Sequence, residues 1–289
     1  MASSSRVKQH AFYLSTRPGR LFCIYRSPLD RPPVGAIVHL PAFGDEMNKA
    51  RAMTARASRA FATLGYGVLQ VDLAGCGDSE GAHEHATMTQ WTSNLEEAIA
   101  WLAAHAVNGS PPVLWALRAG AFLVPRLLAR SVPDAALLLW QPILSGTQYL
   151  THLLRQKTVS DMGDAKARMG TGLLRKRLEA GESLEIGGYA MSPALAADFD
   201  ASSFDVPAGY HGAIDWLEIV RSEPPAFPMA AASRAKQLRD AGVEIRCETI
   251  LGPGFWQSVE IEHCDALIES STNALAARND DLRRAPAVI

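Results

Sequence analysis

The chain has 289 residues, and 28 basic against 30 acidic side chains leave a formal net charge of −2. That length suits one α/β core with an inserted segment, so residues 1–289 are expected to form a single domain, and the balanced charge excludes strong steering toward nucleic acid or an anionic membrane. No stretch approaches the ~18 uninterrupted apolar residues of a membrane span, and Cys23, Cys76, Cys247 and Cys264 form no C-x-x-C pair, so the chain is expected to be cytoplasmic, with reduced structural thiols and neither metal nor cofactor.

Two strands, HAFYL and RLFCIYR, flank the turn signal Pro18-Gly19 and predict an N-terminal hairpin. GAIVHLPAF is a strand running into a Gly-Asp turn, and Met53, Ala57, Phe61 and Leu64 set a helical spacing after Asn48 that closes at Gly65. YGVLQVDLAG is a near-continuous apolar run, as expected of a strand buried on both faces. Thr87 and Gln90 fit a capping box for a helix whose face is Trp91, Leu95, Ala98 and Leu102, and PPVLWAL opens the next strand. AGAFLVPRLLARS is helical with a kink expected at Pro125, and AALLLWQPI is a strand. From Ser145 to about Pro207 the alternation stops, and this mixed stretch is expected to form a cap over the carboxyl edge of the sheet. The alternation returns with the strand HGAIDWLEIVRS, the helix AAASRAKQLRDAG closed by Gly242, the strand VEIRCETIL and the helix DALIESSTNALAA. The charged tail from Arg278 to Ile289 is expected to fray.

Strand and helix in alternation predict a mostly parallel central sheet with helices on both faces and an inserted cap. Within that frame Ala116-Leu117-Arg118-Ala119-Gly120 stands where an α/β-hydrolase fold carries G-x-S-x-G, the strand-to-helix turn that exposes a serine nucleophile. The flanking residues are small, but the centre is Arg118, which stays protonated and can neither attack a carbonyl nor accept a proton. The triad acid would fall near Ser222 and Glu223, where Glu223 is the weakly placed acid available. The histidine would fall in Gly252-Pro253-Gly254-Phe255-Trp256, which holds no imidazole, and His263 further on reads as a surface residue. Oxyanion-type N–H groups would come from Ala42 or Phe43 and from Ala119. The run from Asp72 to Ser79 matches D-x-x-G-x-G-x-S, a turn shaped by its glycines, and GCGDSEG lacks the third glycine of a dinucleotide fingerprint. His83 and His85 form H-x-H without a third ligand and read as solvated loop residues.

Taken together, VHLPAFGDEMNKAR, QVDLAGCGDSEG, LWALRAGA, GYAMSP and GPGFWQSVEIE resemble the exosortase A system-associated hydrolases of type 2, over most of the chain. The resemblance implies bacterial α/β-hydrolase-superfamily proteins, encoded beside exosortase and exopolysaccharide machinery and near a companion hydrolase-like protein. It also implies that the L-R-x-G elbow is the family's own form. Three functions stay open. The first is a non-catalytic binding protein for a small anionic ligand, with Arg118 at a helix N-terminus and Ala42, Phe43, Glu46, Ala119, Phe255 and Trp256 around the pocket. In a variant of it, Arg118 plugs the pocket through a salt bridge to Asp45, Glu46 or Glu223. The second is an atypical hydrolase in which Glu223, or an acid on the Glu46 loop, activates water. The third is an interaction module using the cap.

Overall fold

The computed structural model describes residues 6–284 except 18, 106–110, 162–168, 222 and 224, with side chains described as far as 279. β1 (Val7–Thr16) and β2 (Gly19–Pro28) form the antiparallel hairpin, pairing from Val7 opposite Pro28 to Thr16 opposite Gly19. Pro18 of the expected turn lies outside the described residues. β2 pairs antiparallel with β4 (Tyr66–Val71), and from there the sheet is parallel through β3 (Gly35–Leu40), β5 (Val113–Leu117), β6 (Leu137–Trp140), β9 (Ile214–Val220) and β10 (Ile245–Leu251). The spatial order is β1-β2-β4-β3-β5-β6-β9-β10. Because the strands are buried on both faces, their apolar runs are nearly unbroken.

One face of the sheet is covered by α1 (Asp45–Leu64) and α8 (Asp265–Arg284), whose Met53, Ala57, Phe61, Leu267 and Leu275 pack with Ile37, Trp115 and Trp140. The other carries α2 (Met88–His105), α3 (Val124–Arg130) and α7 (Met229–Asp240). The Thr87 hydroxyl accepts from the Gln90 N–H at 3.1 Å and caps α2, so that Trp91, Leu95, Ala98 and Leu102 all turn into the core. α1 begins ahead of the spacing that predicts it. Gly44, at φ 59°, turns the chain, and Asp45 and Glu46 occupy the first turn, where the helix dipole favours carboxylates.

Two expectations of local structure change. Pro125 does not kink a helix: residues Arg118–Leu123 wind as a 3₁₀ turn and Pro125 sits in the first turn of α3, where its missing N–H costs nothing. Nor is Arg278 frayed. Its guanidinium donates to Asp215 at 2.7 and 2.9 Å and to the Ala213 carbonyl at 3.1 Å, fastening α8 to β9. Residues 285–289 of the expected tail lie outside the described residues.

Between β6 and β9 run α4 (Gly146–Ser160), α5 (Thr171–Glu179), the antiparallel pair β7 (Leu184–Ile186) and β8 (Tyr189–Met191), and α6 (Pro193–Asp200). A bridge between Ser145 and Ser203 pins the two ends of this stretch together. Ser145 and Ser192 cap α4 and α6 by accepting from Gln148 and Leu195 N–H groups. The inward faces of these elements meet the loop after β3 over the carboxyl ends of the central strands, and a cavity opens there.

Candidate active site

The turn after β5 has the geometry its sequence pattern demands. Arg118 lies at φ 54°, in the left-handed region that costs a non-glycine residue on the order of 1–3 kcal/mol and persists where surrounding contacts over-determine it. Gly120 lets the following turn approach β3: a Cβ there would stand 2.3 Å from the Leu40 carbonyl oxygen and 2.6 Å from that of Pro41. Only a glycine fits so close to backbone.

From this elbow the Arg118 side chain meets Glu46 of α1. Nε and Nη2 donate to Glu46 Oε1 at 3.1 and 2.8 Å, and the two side chains are only 13% and 10% exposed. Glu46 Oε2 accepts from the Tyr149 hydroxyl of α4 at 3.2 Å. Burial, with the Glu46 charge beside it, pushes the Tyr149 phenol well above its usual value, so Tyr149 remains a donor. The guanidinium also lies over the Trp256 ring, 5.0 Å from its centroid. Arg118, Glu46, Tyr149 and Trp256 thus form a closed cluster in which every charge has a partner.

Two cavities flank the cluster and share Tyr149, His152, Trp256 and Gln257 as lining. The larger, of about 810 Å³, is lined by Phe43, Glu46, Leu153, Met191, Leu195 and Phe199 among others. The smaller, of about 450 Å³, is lined by Arg118, Gln141, Gln148 and Glu218. Glu218 lies in β9, buried, with Oε1 accepting from Trp216 Nε1 at 2.7 Å. Burial pushes its carboxyl up to about 7, opposed by the hydrogen bonds from Trp216 and Gln141 and by the charge of Arg118. Gln141 is the second non-glycine residue at positive φ, 46°, and its Oε1 accepts from the Ile219 N–H at 2.6 Å.

A family model described as X-Pro dipeptidyl-peptidase (S15 family) matches residues 24–115, ending before the elbow. Est1E from Butyrivibrio proteoclasticus, solved with ferulic acid bound, is 15% identical with a TM-score of 0.59, over 93% of this chain and 97% of its own. Mouse alpha/beta hydrolase domain-containing protein 10 is 15% identical with a TM-score of 0.54, over 94% of this chain and 98% of its own. A putative dienelactone hydrolase from Klebsiella pneumoniae is 13% identical with a TM-score of 0.55, over 95% of this chain and 99% of its own. The chain has the α/β-hydrolase fold. No curated protein sequence matches it.

The turn after β5 carries Arg118, and the loop after β10 carries Trp256 against that arginine. Of the six residues expected around the pocket, Phe43, Glu46 and Trp256 line the larger cavity. The other three do not. Ala42 and Ala119 are fully buried, and Phe255 is buried in the core, its ring 6.2 Å from that of Trp140 and 5.1 Å from that of Trp256. Glu223, the expected acid, is exposed just beyond β9 and bonds to no described residue, because the chain has already left the sheet edge. Two buried acids lie inside the strand, Asp215, which is paired with Arg278, and Glu218, which lines the smaller cavity. The signal for both was the pair of ionisable residues interrupting the apolar run IDWLEIV. His263 is exposed at the entry to α8.

His83 and His85 part company. His85 is exposed, whereas His83 is half-buried on the cavity wall, its Nδ1 2.8 Å from the Ala190 carbonyl oxygen and its ring packed against Tyr189 and Trp91. A carbonyl partner puts the hydrogen on Nδ1, and burial lowers the pKa, so the ring is neutral. The solvated-loop expectation fails for His83 because β8 covers it. In the Asp72–Ser79 loop, Gly75 and Gly77 are at φ 75° and 54°, and Asp72 accepts from the Asp78 N–H and from Arg51, each at 3.0 Å. Cys76 is buried, and that burial pushes its thiol up to about 12, which removes any nucleophilic thiolate at neutral pH. Among the described residues, no group of three or more His, Cys, Asp or Glu side chains could hold a metal ion, and no helix is long and apolar enough to cross a membrane.

Proposed function

We propose that this protein is a binding protein on the α/β-hydrolase fold, holding a small ligand with an apolar body and an anionic group in the 810 Å³ cavity beneath the inserted stretch, which acts as its cap. The observation that carries this reading is the ion pair of Arg118 and Glu46 with Trp256 stacked on it. Nucleophile and general base are both replaced by groups that satisfy one another, and the result is a wall. Phe43, Leu153, Met191, Leu195, Phe199 and Trp256 give the cavity an apolar lining suited to an acyl or lipid body. Lys49 on its wall is paired with Asp45 at 2.6 Å, while Arg155, also on the wall and exposed, has no ion-pair partner among the described residues and is the cation left for an anionic group. The resemblance to the exosortase-associated family supplies a setting in which lipid phosphates and acidic saccharides are at hand, and the lining favours the lipid.

Straight-chain carboxylates and alkyl phosphates of increasing length, titrated into the protein by calorimetry, test this. Saturable binding that strengthens with chain length, weakens about tenfold or more in Arg155→Glu and disappears in Leu195→Trp is expected. Binding indifferent to both substitutions, or labelling of the wild-type protein by a fluorophosphonate probe, would overturn it.

A second reading rests on Glu218. A buried carboxyl titrating near neutrality beside Arg118 could activate water in the smaller cavity, making the protein an atypical hydrolase. Turnover of any member of a panel of esters, thioesters and phosphoesters, lost in Glu218→Gln, would favour it over the binding reading.

A further inference from the structure

Three neighbouring strands are interrupted by a polar residue on the same face of the sheet. Arg26 breaks β2, His39 breaks β3 and Gln70 breaks β4, with His39 directly opposite Gln70 and Gln70 opposite Ile24, two residues from Arg26. All three lie on the sheet face that α1 covers, where Ser58 of α1 bonds to both Arg26 and Gln70. Arg26 is only 2% exposed. Its hydrogen-bond partners are Gln9 Oε1 at 2.9 Å, Ser58 Oγ at 2.8 Å and Gln70 Oε1, all neutral. It forms no ion pair with any described residue, and Nη2 donates to none. Beside it, His39 Nε2 is buried without a hydrogen-bond partner.

These groups line a cavity of about 200 Å³ between α1 and the sheet, below the residue that precedes the elbow. Arg51 and Asp72 complete its charged lining, already paired at 3.0 Å. Two guanidinium groups against one carboxylate leave one positive charge, that of Arg26. A guanidinium that is 2% exposed and meets only neutral acceptors carries a desolvation cost that a counter-ion in the cavity would offset. We propose that this cavity is a binding site for a small monovalent anion, such as a halide, nitrate or short carboxylate, held by the Arg26 Nη2 that has no partner among the described residues, with the His39 ring on the wall beside it. Burial keeps the imidazole neutral, lowering it to about 3, so it offers one N–H and adds no charge. The site is separate from the ligand cavity and stands whether or not that reading holds.

Crystals of the full chain soaked in sodium bromide, with thermal unfolding in chloride or nitrate against gluconate at equal ionic strength, test the proposal. Gluconate is the control because its bulky polyhydroxylated chain is far more strongly hydrated than chloride or nitrate and must shed that water to enter. Expected are an anomalous bromide peak within hydrogen-bonding reach of Arg26 and a saturable rise in Tm with chloride and nitrate that gluconate does not give. Thr54→Leu, which fills the cavity from α1 without touching the charge, should abolish the saturable rise. Arg26→Met should do the same where it folds. A cavity holding only water, a peak without any saturable stabilisation in solution, or a rise that survives Thr54→Leu would each overturn it.

Discussion

Replacing Glu46 with leucine should strand the Arg118 charge. The pair is nearly buried and held by contacts of 2.8 and 3.1 Å, and removing one member of such a pair typically costs about 3–5 kcal/mol because the remaining charge is left without a partner. Two features place the expected loss at the low end, about 3 kcal/mol: both flanking cavities admit water, and Arg118 keeps its contact with Trp256. The Tyr149 hydroxyl also loses its acceptor, which adds about 1 kcal/mol. At roughly 2–4 °C per kcal/mol for a chain of this size, Tm should fall by about 8–16 °C. The decisive comparison is the cycle with Arg118→Leu and the double variant, read from urea midpoints by circular dichroism. Removing both charges restores an uncharged wall, so the double variant should be far more stable than the sum of the singles predicts, with a coupling of about 2–3 kcal/mol. Additive singles, or a Glu46→Leu loss below about 1 kcal/mol, would show that the pair is solvated and refute the wall.

Arg118→Ser should remain unlabelled by a fluorophosphonate probe, since Trp256 stands where the base belongs and Glu223 is exposed; labelling at the rate of a working serine hydrolase would mean a base has been overlooked. Glu218 titrates near 7 when folded against about 4.5 when unfolded, so the folded state holds the extra proton between those values and stability falls as pH rises through them. Glu218→Gln should therefore stabilise the protein at pH 8 by up to about 3 kcal/mol and by less at pH 5, and equal urea midpoint shifts at the two pH values would count against a buried carboxylate. Gly120→Ala forces a methyl into the carbonyls of Leu40 and Pro41 and should cost about 3 kcal/mol or more, measured by thermal unfolding; a neutral substitution would mean the elbow is looser than its geometry.

Much of the fold was legible in the sequence because its signals are local. Hydrophobic period distinguishes YGVLQV from the helix after Thr87, and small residues on either side of position 118 mark a turn that only a close strand-to-helix approach requires. That residue 118 cannot act as a nucleophile was equally legible, since arginine cannot become one in any surroundings. What the sequence could not settle was the partner of Arg118. Asp45, Glu46 and Glu223 were equivalent until α1 presented Glu46 to the elbow and β9 released Glu223 into solvent. Phe255 and Trp256 are adjacent in sequence and touch each other in the core, yet only Trp256 also reaches the cavities and Arg118. The row of Arg26, His39 and Gln70 is likewise invisible along the chain: the register of three strands, set by long-range pairing, brings the three together. Backbone preference and hydrophobic period are written residue by residue, but which charges meet depends on packing between segments tens of residues apart, and only the tertiary structure decides that.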